Sequence, residues 1–154
     1  MGSQVWRLVP TILAVDPGRT TGFVIWRDDE RIEKELECSR FLAYAAPLIE
    51  RGEIDFVVCE RFIISTQTAK YSQAPWSLEQ IGVLRFLCER YDVSFVLQNV
   101  SDAKRFGTDD RLNAIGWKRP KGGGHARDAQ RHLLLFLVKH DMIDDHLLVK
   151  NSQK

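Results

Sequence analysis

A chain of 154 residues has room for one domain with one substantial core, and not for two full-sized lobes. Its 44% apolar content is that of an ordinary soluble globular protein, and no run approaches the roughly 18 to 20 consecutive apolar residues of a membrane span. No signal-peptide pattern opens the sequence, and Lys and Arg number 22 against 21 Asp and Glu, so the charge total by itself favours no class of partner.

The first predicted elements are two strands, Thr11 to Val15 and Thr21 to Trp26, joined by a turn at Pro17 and Gly18. Ile32 to Cys38, with Glu33, Glu35 and Glu37 interleaved, reads as a solvated edge strand and completes three antiparallel strands in sequence. Ser39 then caps a helix to about Glu50, whose inner face is Phe41, Leu42, Ala45, Leu48 and Ile49 and which Gly52 ends. Ile54 to Cys59 is apolar apart from Asp55, as in a strand buried on both faces, and because it follows a helix it should run parallel to an earlier strand.

A polar stretch from Ser65 to Gln73 leads to a second helix, about Pro75 to Tyr91, and Val93 to Leu97 supplies a fifth strand. Ser101 caps a short helix through Phe106, Asp109 or Asp110 caps another through Ile115, and Lys118 to Gly124 has the composition of a mobile loop. The last helix runs from His125 to His140 on a stripe of Ala129, Leu133, Phe136 and Leu137, and the tail from Asn151 is expected to be disordered. The sum is one α/β domain over 1–150: a mixed five-stranded sheet with flanking helices.

Charge is distributed unevenly. Asp28 to Glu60 carries ten acidic residues against four basic, whereas Lys104 to Arg131 carries eight basic against three acidic. An acidic half and a basic half suggest that one side meets a polyanion, although both also suit plain solvated faces. Cys38, Cys59 and Cys88 are widely spaced and lie partly in apolar runs, which fits reduced core thiols of a cytoplasmic protein.

Asp16 and Glu60 end the first and fourth strands. If those strands are parallel neighbours, the two carboxylates emerge at one edge of the sheet. Asp128 falls in the first turn of the last helix, three residues after His125 and on the same helical face. Carboxylates converging without enough basic partners repel one another, and a pair of divalent cations relieves that; oxygen-rich ligation suits Mg²⁺ or Mn²⁺. Taken singly, each residue has an ordinary explanation as a turn former, a solvated strand end or a helix-dipole partner.

Three segments lift the set above those explanations. Ile12 to Phe23 (an apolar strand into Asp-Pro-Gly, then Thr-Gly and an aromatic), Val57-Val58-Cys59-Glu60-Arg61-Phe62, and His125-Ala126-Arg127-Asp128-Ala129 resemble, in order, the motifs of the RuvC family of Holliday junction resolvases. The resemblance runs from Ile12 to about Lys139. Ser101 to Phe106 with the following Asp109-Asp110-Arg111 is similar to bacteriophage members, and the first motif is tighter than the cellular form.

The resemblance implies a ribonuclease-H-like fold and a structure-selective endodeoxyribonuclease that cuts four-way junctions, with other branched DNA as further candidate substrates. Related nucleases on RNA:DNA hybrids or transposon ends, or a non-catalytic nucleic-acid binder, are the alternatives. It implies that Asp16, Glu60, His125 and Asp128 hold two Mg²⁺ ions about 4 Å apart, with Mn²⁺ able to substitute. Phe62 is the nearest match to an aromatic that probes the junction, and Lys104, Arg105, Arg111, Lys118, Arg119 and Lys121 are the expected phosphate contacts.

The second helix shows a core stripe of Ile81, Leu84, Leu87, Cys88 and Tyr91. It has a second apolar face of Trp76, Val83 and Phe86, the expected homodimer interface. Asp-x-Gly-x-Thr-Thr-Gly also resembles the first phosphate loop of actin-like and sugar-kinase phosphotransferases. Those enclose nucleotide between two domains of this fold, so a single domain of 154 residues predicts no nucleotide cofactor.

Overall fold

The computed structural model describes residues 9–67 and 74–144. The tail from Asn151 and the end of the polar stretch before the second helix lie outside the described residues. Five strands, β1 (Ile12–Asp16), β2 (Thr20–Arg27), β3 (Glu30–Glu37), β4 (Phe56–Glu60) and β5 (Ser94–Gln98), form one sheet in the order β3-β2-β1-β4-β5. The first three are antiparallel in sequence, and β4 and β5 join parallel to β1, giving the mixed sheet expected. The helices are α1 (Cys38–Glu50), α2 (Ala74–Arg90), α3 (Val100–Phe106), α4 (Asp109–Ala114) and α5 (His125–Lys139).

The strand alternation divides the core between the two faces of the sheet. Ile12, Ala14, Val24, Trp26 and Val58 pack under Ala129, Leu133, Phe136 and Leu137 of α5, with Leu112 and Trp117 beside them. Leu13, Val15, Phe23, Val57 and Cys59 meet Phe41, Ala45 and Ile49 of α1 and Ile81, Leu84 and Cys88 of α2. Each fully buried apolar side chain contributes roughly 1.5–3 kcal/mol relative to exposure, enough to seat α5 firmly on that face of the sheet. The three cysteines are free and buried. Among the described residues no helix is long and apolar enough to cross a membrane.

Local chemistry sets the joints. Asp28 and Asp29, both at positive φ, make the two-residue β2–β3 hairpin turn. Gly52, at φ 72°, closes α1: its N–H bonds Ile49 O, and the Glu53 N–H reaches back to Leu48 O. Three expected caps are corrected. α1 starts one residue before Ser39, at Cys38, because the Cys38 N–H is already taken by Arg19 O at 2.9 Å as the chain leaves β3. α3 starts at Val100 with Asn99 in the cap position, which leaves Ser101 inside the first turn. α4 is capped by neither Asp109 nor Asp110 but by Thr108, whose hydroxyl accepts from the Arg111 N–H at 3.3 Å.

Candidate active site

β1 and β4 lie side by side with Val15 opposite Cys59, so the next residues, Asp16 and Glu60, end the two strands together. Val15 and Cys59 belong to the α1/α2 core. Asp16 and Glu60, one residue on, therefore face α5. From α5 come His125, Asp128 and His132, spaced three and four residues apart on one face.

Two contacts seat the first turn of α5 on this edge. Gly22 of β2 pairs with Asp16, and a Cβ at Gly22 would stand 2.0 Å from His125 C and 2.3 Å from Ala126 N. Only glycine lets the helix come so close. The second contact is Glu35 of β3, whose carboxylate accepts from the N–H groups of His125 (2.8 Å), Gly123 (2.9 Å) and Ala126 (3.2 Å). Burial opposes its charge, but those backbone donors outweigh it and hold Glu35 below the usual carboxylate range. Gly22→Ala should cost roughly 1–3 kcal/mol as overpacking against rigid backbone, which for a domain of this size lowers Tm by about 2–10 °C. Calorimetry checks it, and an unchanged Tm would mean that α5 is not seated there.

The loop after Asp16 is pinned from the other face. Gln80 of α2, fully buried, accepts from the Gly18 N–H at 3.0 Å and donates to Thr21 Oγ1 at 2.8 Å, while Ser77 Oγ donates to Pro17 O at 3.1 Å. The helix predicted to carry a dimer face thus also clamps the Asp-Pro-Gly turn.

The electrostatics show a surplus of negative charge. Burial, then repulsion from Glu60 and Asp128, pushes Asp16 up to about 6 against the opposing hydrogen bond from His125. His125 Nδ1 lies 3.1 Å from Asp16 Oδ2, and that bond raises the imidazole pKa in turn. Three carboxylates and an imidazole at one sheet edge fit a hard divalent cation by donor type and by charge. As the side chains stand, no three among the described residues close on one point. Glu60 Oε2 is held at 3.1 Å by His132 Nε2, and Asp128 Oδ1 at 3.3 Å by Arg131 Nε.

The fold puts Asp16 in hydrogen-bond contact with His125 and near enough to Glu60 and Asp128 to feel their charge; the other predicted residues are spread over α2, α3, α4 and the segments after β4 and before α5. Lys104, Arg105, Lys118, Arg119 and Lys121 are exposed, and the Arg119 guanidinium lies 3.3 Å from where a Cβ on Gly124 would be, beside the start of α5. Arg111 is half-buried, donating to Phe106 O at 3.0 Å with its guanidinium over the Phe106 ring. Phe62 is half-buried against the α1/α2 core, whereas Ile63 and Ile64, which no sequence motif marks, are 62% and 64% exposed. A cleft of about 480 Å³ opens beside Glu60, between Phe62, Ile63 and Ser65 on one side and Asn99 and Ser101 on the other. Trp76, Val83 and Phe86 are exposed on α2 as the second stripe predicted.

The basic segment is less free than its composition suggests. Arg127 is buried, donating to Asp109 (2.9 Å), Trp117 O (2.6 Å) and Asn113 (3.0 Å), and Arg131 pairs with Asp109 and Asp128. The acidic strand β3 also does not stand apart from it, because Glu33 accepts from Gln130 at 2.7 Å and Glu35 caps α5.

No protein-family model matches the chain, and no curated protein matches it in sequence. Solved structures do. RuvC of T. thermophilus, in complex with a Holliday junction substrate, superposes with a TM-score of 0.64 at 14% identity, covering 86% of this chain and 96% of that one. Thermus thermophilus RuvC on its own gives 0.58 at 14% identity, over 85% and 96%. The fold is the ribonuclease-H-like fold of RuvC. At that identity the likeness establishes architecture alone, and the case for chemistry rests on the side chains.

Proposed function

We propose that this chain is a metal-dependent, structure-selective endodeoxyribonuclease that cleaves four-way DNA junctions. The observation that carries the reading is the convergence of Asp16, Glu60, His125 and Asp128 where two parallel strands end under the first turn of α5, in a RuvC-like fold. Two Mg²⁺ ions, or Mn²⁺ in their place, would be held by these four residues and would supply an activated water and stabilisation of the departing 3′ oxygen. Asp16, the most buried of the three carboxylates, would be the central ligand, with Glu60 and Asp128 completing the set. His125 would ligate through its ring once its proton is lost, or carry a proton on that same ring. Exposed Lys104, Arg105, Lys118, Arg119 and Lys121 hold the phosphates on either side of the scissile bond without reading bases.

The Ser101–Phe106 stretch and Asp109-Asp110-Arg111 support a place in the bacteriophage branch, acting in a host cytoplasm. The deciding experiment incubates the protein with labelled four-way junction, flap, RNA:DNA hybrid and linear duplex in Mg²⁺. Paired symmetric cuts in the junction support the proposal, and cutting confined to the hybrid overturns it.

Asp16 and His125 both hold protons more tightly than the free side chains do, so loading of a divalent ion competes with protons at this pair. The half-saturating Mn²⁺ concentration, read by magnetic resonance without DNA, should fall about tenfold or more between pH 6 and pH 8. A flat profile would mean that the pair is not a ligand.

A four-way junction has two strands to cut, and we read the exposed Trp76, Val83 and Phe86 face of α2 as a homodimer interface. Light scattering should show a dimer at micromolar concentration, and Phe86→Glu should shift it to monomer. A wild-type monomer would remove this part of the reading.

A further inference from the structure

His132 lies on the α5 face that carries His125 and Asp128, one turn beyond Asp128, and its side chain is 1% exposed. Its Nε2 stands 3.1 Å from Glu60 Oε2 and its Nδ1 3.1 Å from Gln98 Oε1. Gln98 is the last residue of β5, in register with Glu60 at the end of β4, and is itself buried. The ring therefore bridges the ends of two strands from beneath the helix.

An ionised carboxylate only accepts hydrogen bonds, so the nitrogen facing it must carry a proton; the other nitrogen faces an amide that can turn either its oxygen or its NH₂ toward the ring. A buried histidine bonded on both sides is often no more than a satisfied core residue. Here one partner is a strand-end carboxylate of the candidate site. A metal-binding carboxylate needs an outer partner to fix its orientation.

We propose that His132 is a positioning residue of the site, its Nε2–H holding Glu60 Oε2 so that the carboxylate is set for a divalent ion while Gln98 fixes the ring. The inference rests on the metal-site reading above. It adds a residue that this reading does not contain, and it assigns His132 as a hydrogen-bond donor and not as a ligand.

The test uses the full-length protein and Mn²⁺ alone, without DNA. His132→Leu, which keeps bulk but no donor, should weaken Mn²⁺ binding about 10- to 100-fold, whereas His132→Gln, which can place an N–H near the same point, should stay within about 3-fold of wild type. In a Glu60→Gln background the leucine change should add nothing further. Nitrogen-15 spectra of the wild-type imidazoles should show His132 protonated at Nε2, a readout that needs no variant to fold. Equal Mn²⁺ binding by wild type and His132→Leu, or an unprotonated Nε2, overturns the inference while the loss of binding in Asp16→Asn still upholds the metal site. If Asp16→Asn also binds Mn²⁺ as wild type does, the metal-site reading falls and this inference with it.

Discussion

Replacing Asp16 by asparagine is expected to abolish junction cleavage and, without divalent ions, to make the protein more stable. Both effects come from the same charge. In the fold the Asp16 carboxyl is buried beside Glu60 and Asp128 and titrates at about 6, against 3.8 for the unperturbed group. Below about pH 3 the group is protonated in both folded and unfolded chains and has little effect on the balance between them. As pH rises, the unfolded chain releases the proton first, so the native state loses stability until the folded group also ionises. Above about pH 7 the accumulated penalty is about 3 kcal/mol, at 1.36 kcal/mol per unit.

Asparagine keeps the volume and an oxygen for His125 but carries no charge, so that penalty disappears. At pH 8 in chelator the variant should melt roughly 5–10 °C above wild type, and the gap should shrink to about 1–2 °C by pH 4. The cleavage effect has the opposite sign for the same reason, because the surplus charge is what a cation needs. Its removal should lower the cleavage rate by at least about 10³-fold, some 4 kcal/mol of transition-state stabilisation, with junction binding kept. Glu60→Gln and Asp128→Asn should behave alike in cleavage, and His125→Ala should lose less. Near wild-type cutting by Asp16→Asn would dispose of the metal-site assignment, and an unchanged Tm at pH 8 would dispose of the buried-charge argument.

What the sequence could disclose here was whatever local pattern encodes. Apolar runs ending in Asp16 and Glu60 marked two strand ends, and the 3.6-residue period separated the buried Ile81, Leu84 and Cys88 from the exposed Val83 and Phe86. Helix starts were less legible. Ser39 and Ser101 have the chemistry of caps, but the chain came into register with a strand or a neighbouring carbonyl before that chemistry was needed. Least legible were the residues whose partners are far along the chain. Glu35 has the pattern of one more charge on a solvated edge, yet it caps a helix 90 residues away. His132 had no motif to mark it, and Gln80 looked like any polar residue on a helix. Arg127 and Arg131 counted as basic surface although they are spent on Asp109, Asp128 and backbone carbonyls. Composition assigns charge to a segment; only the fold assigns it to solvent.

That distinction decides which basic residues are worth removing to find the DNA. Arg127 and Arg131 are structural, and their loss would confound affinity with stability. Lys118, Arg119 and Lys121 are exposed in the loop that leads from Trp117 to α5, ahead of His125 and Asp128. Replacing the three with alanine should weaken binding to all branched substrates about a hundredfold at low salt, with little change in cleavage sequence preference. Each neutralised phosphate releases counterions, so the slope of log affinity against log salt should flatten by roughly 2 to 3 units, at about 0.9 for each phosphate no longer neutralised. The measurement is junction affinity of both proteins over a salt series, with Ca²⁺ replacing Mg²⁺ to prevent cutting, and melting curves to show that the fold is kept. Because the removed side chains touch solvent and not the core, Tm should stay within about 2 °C of wild type. Equal slopes would place the DNA elsewhere, with exposed Lys104 and Arg105 of α3 the next pair to replace.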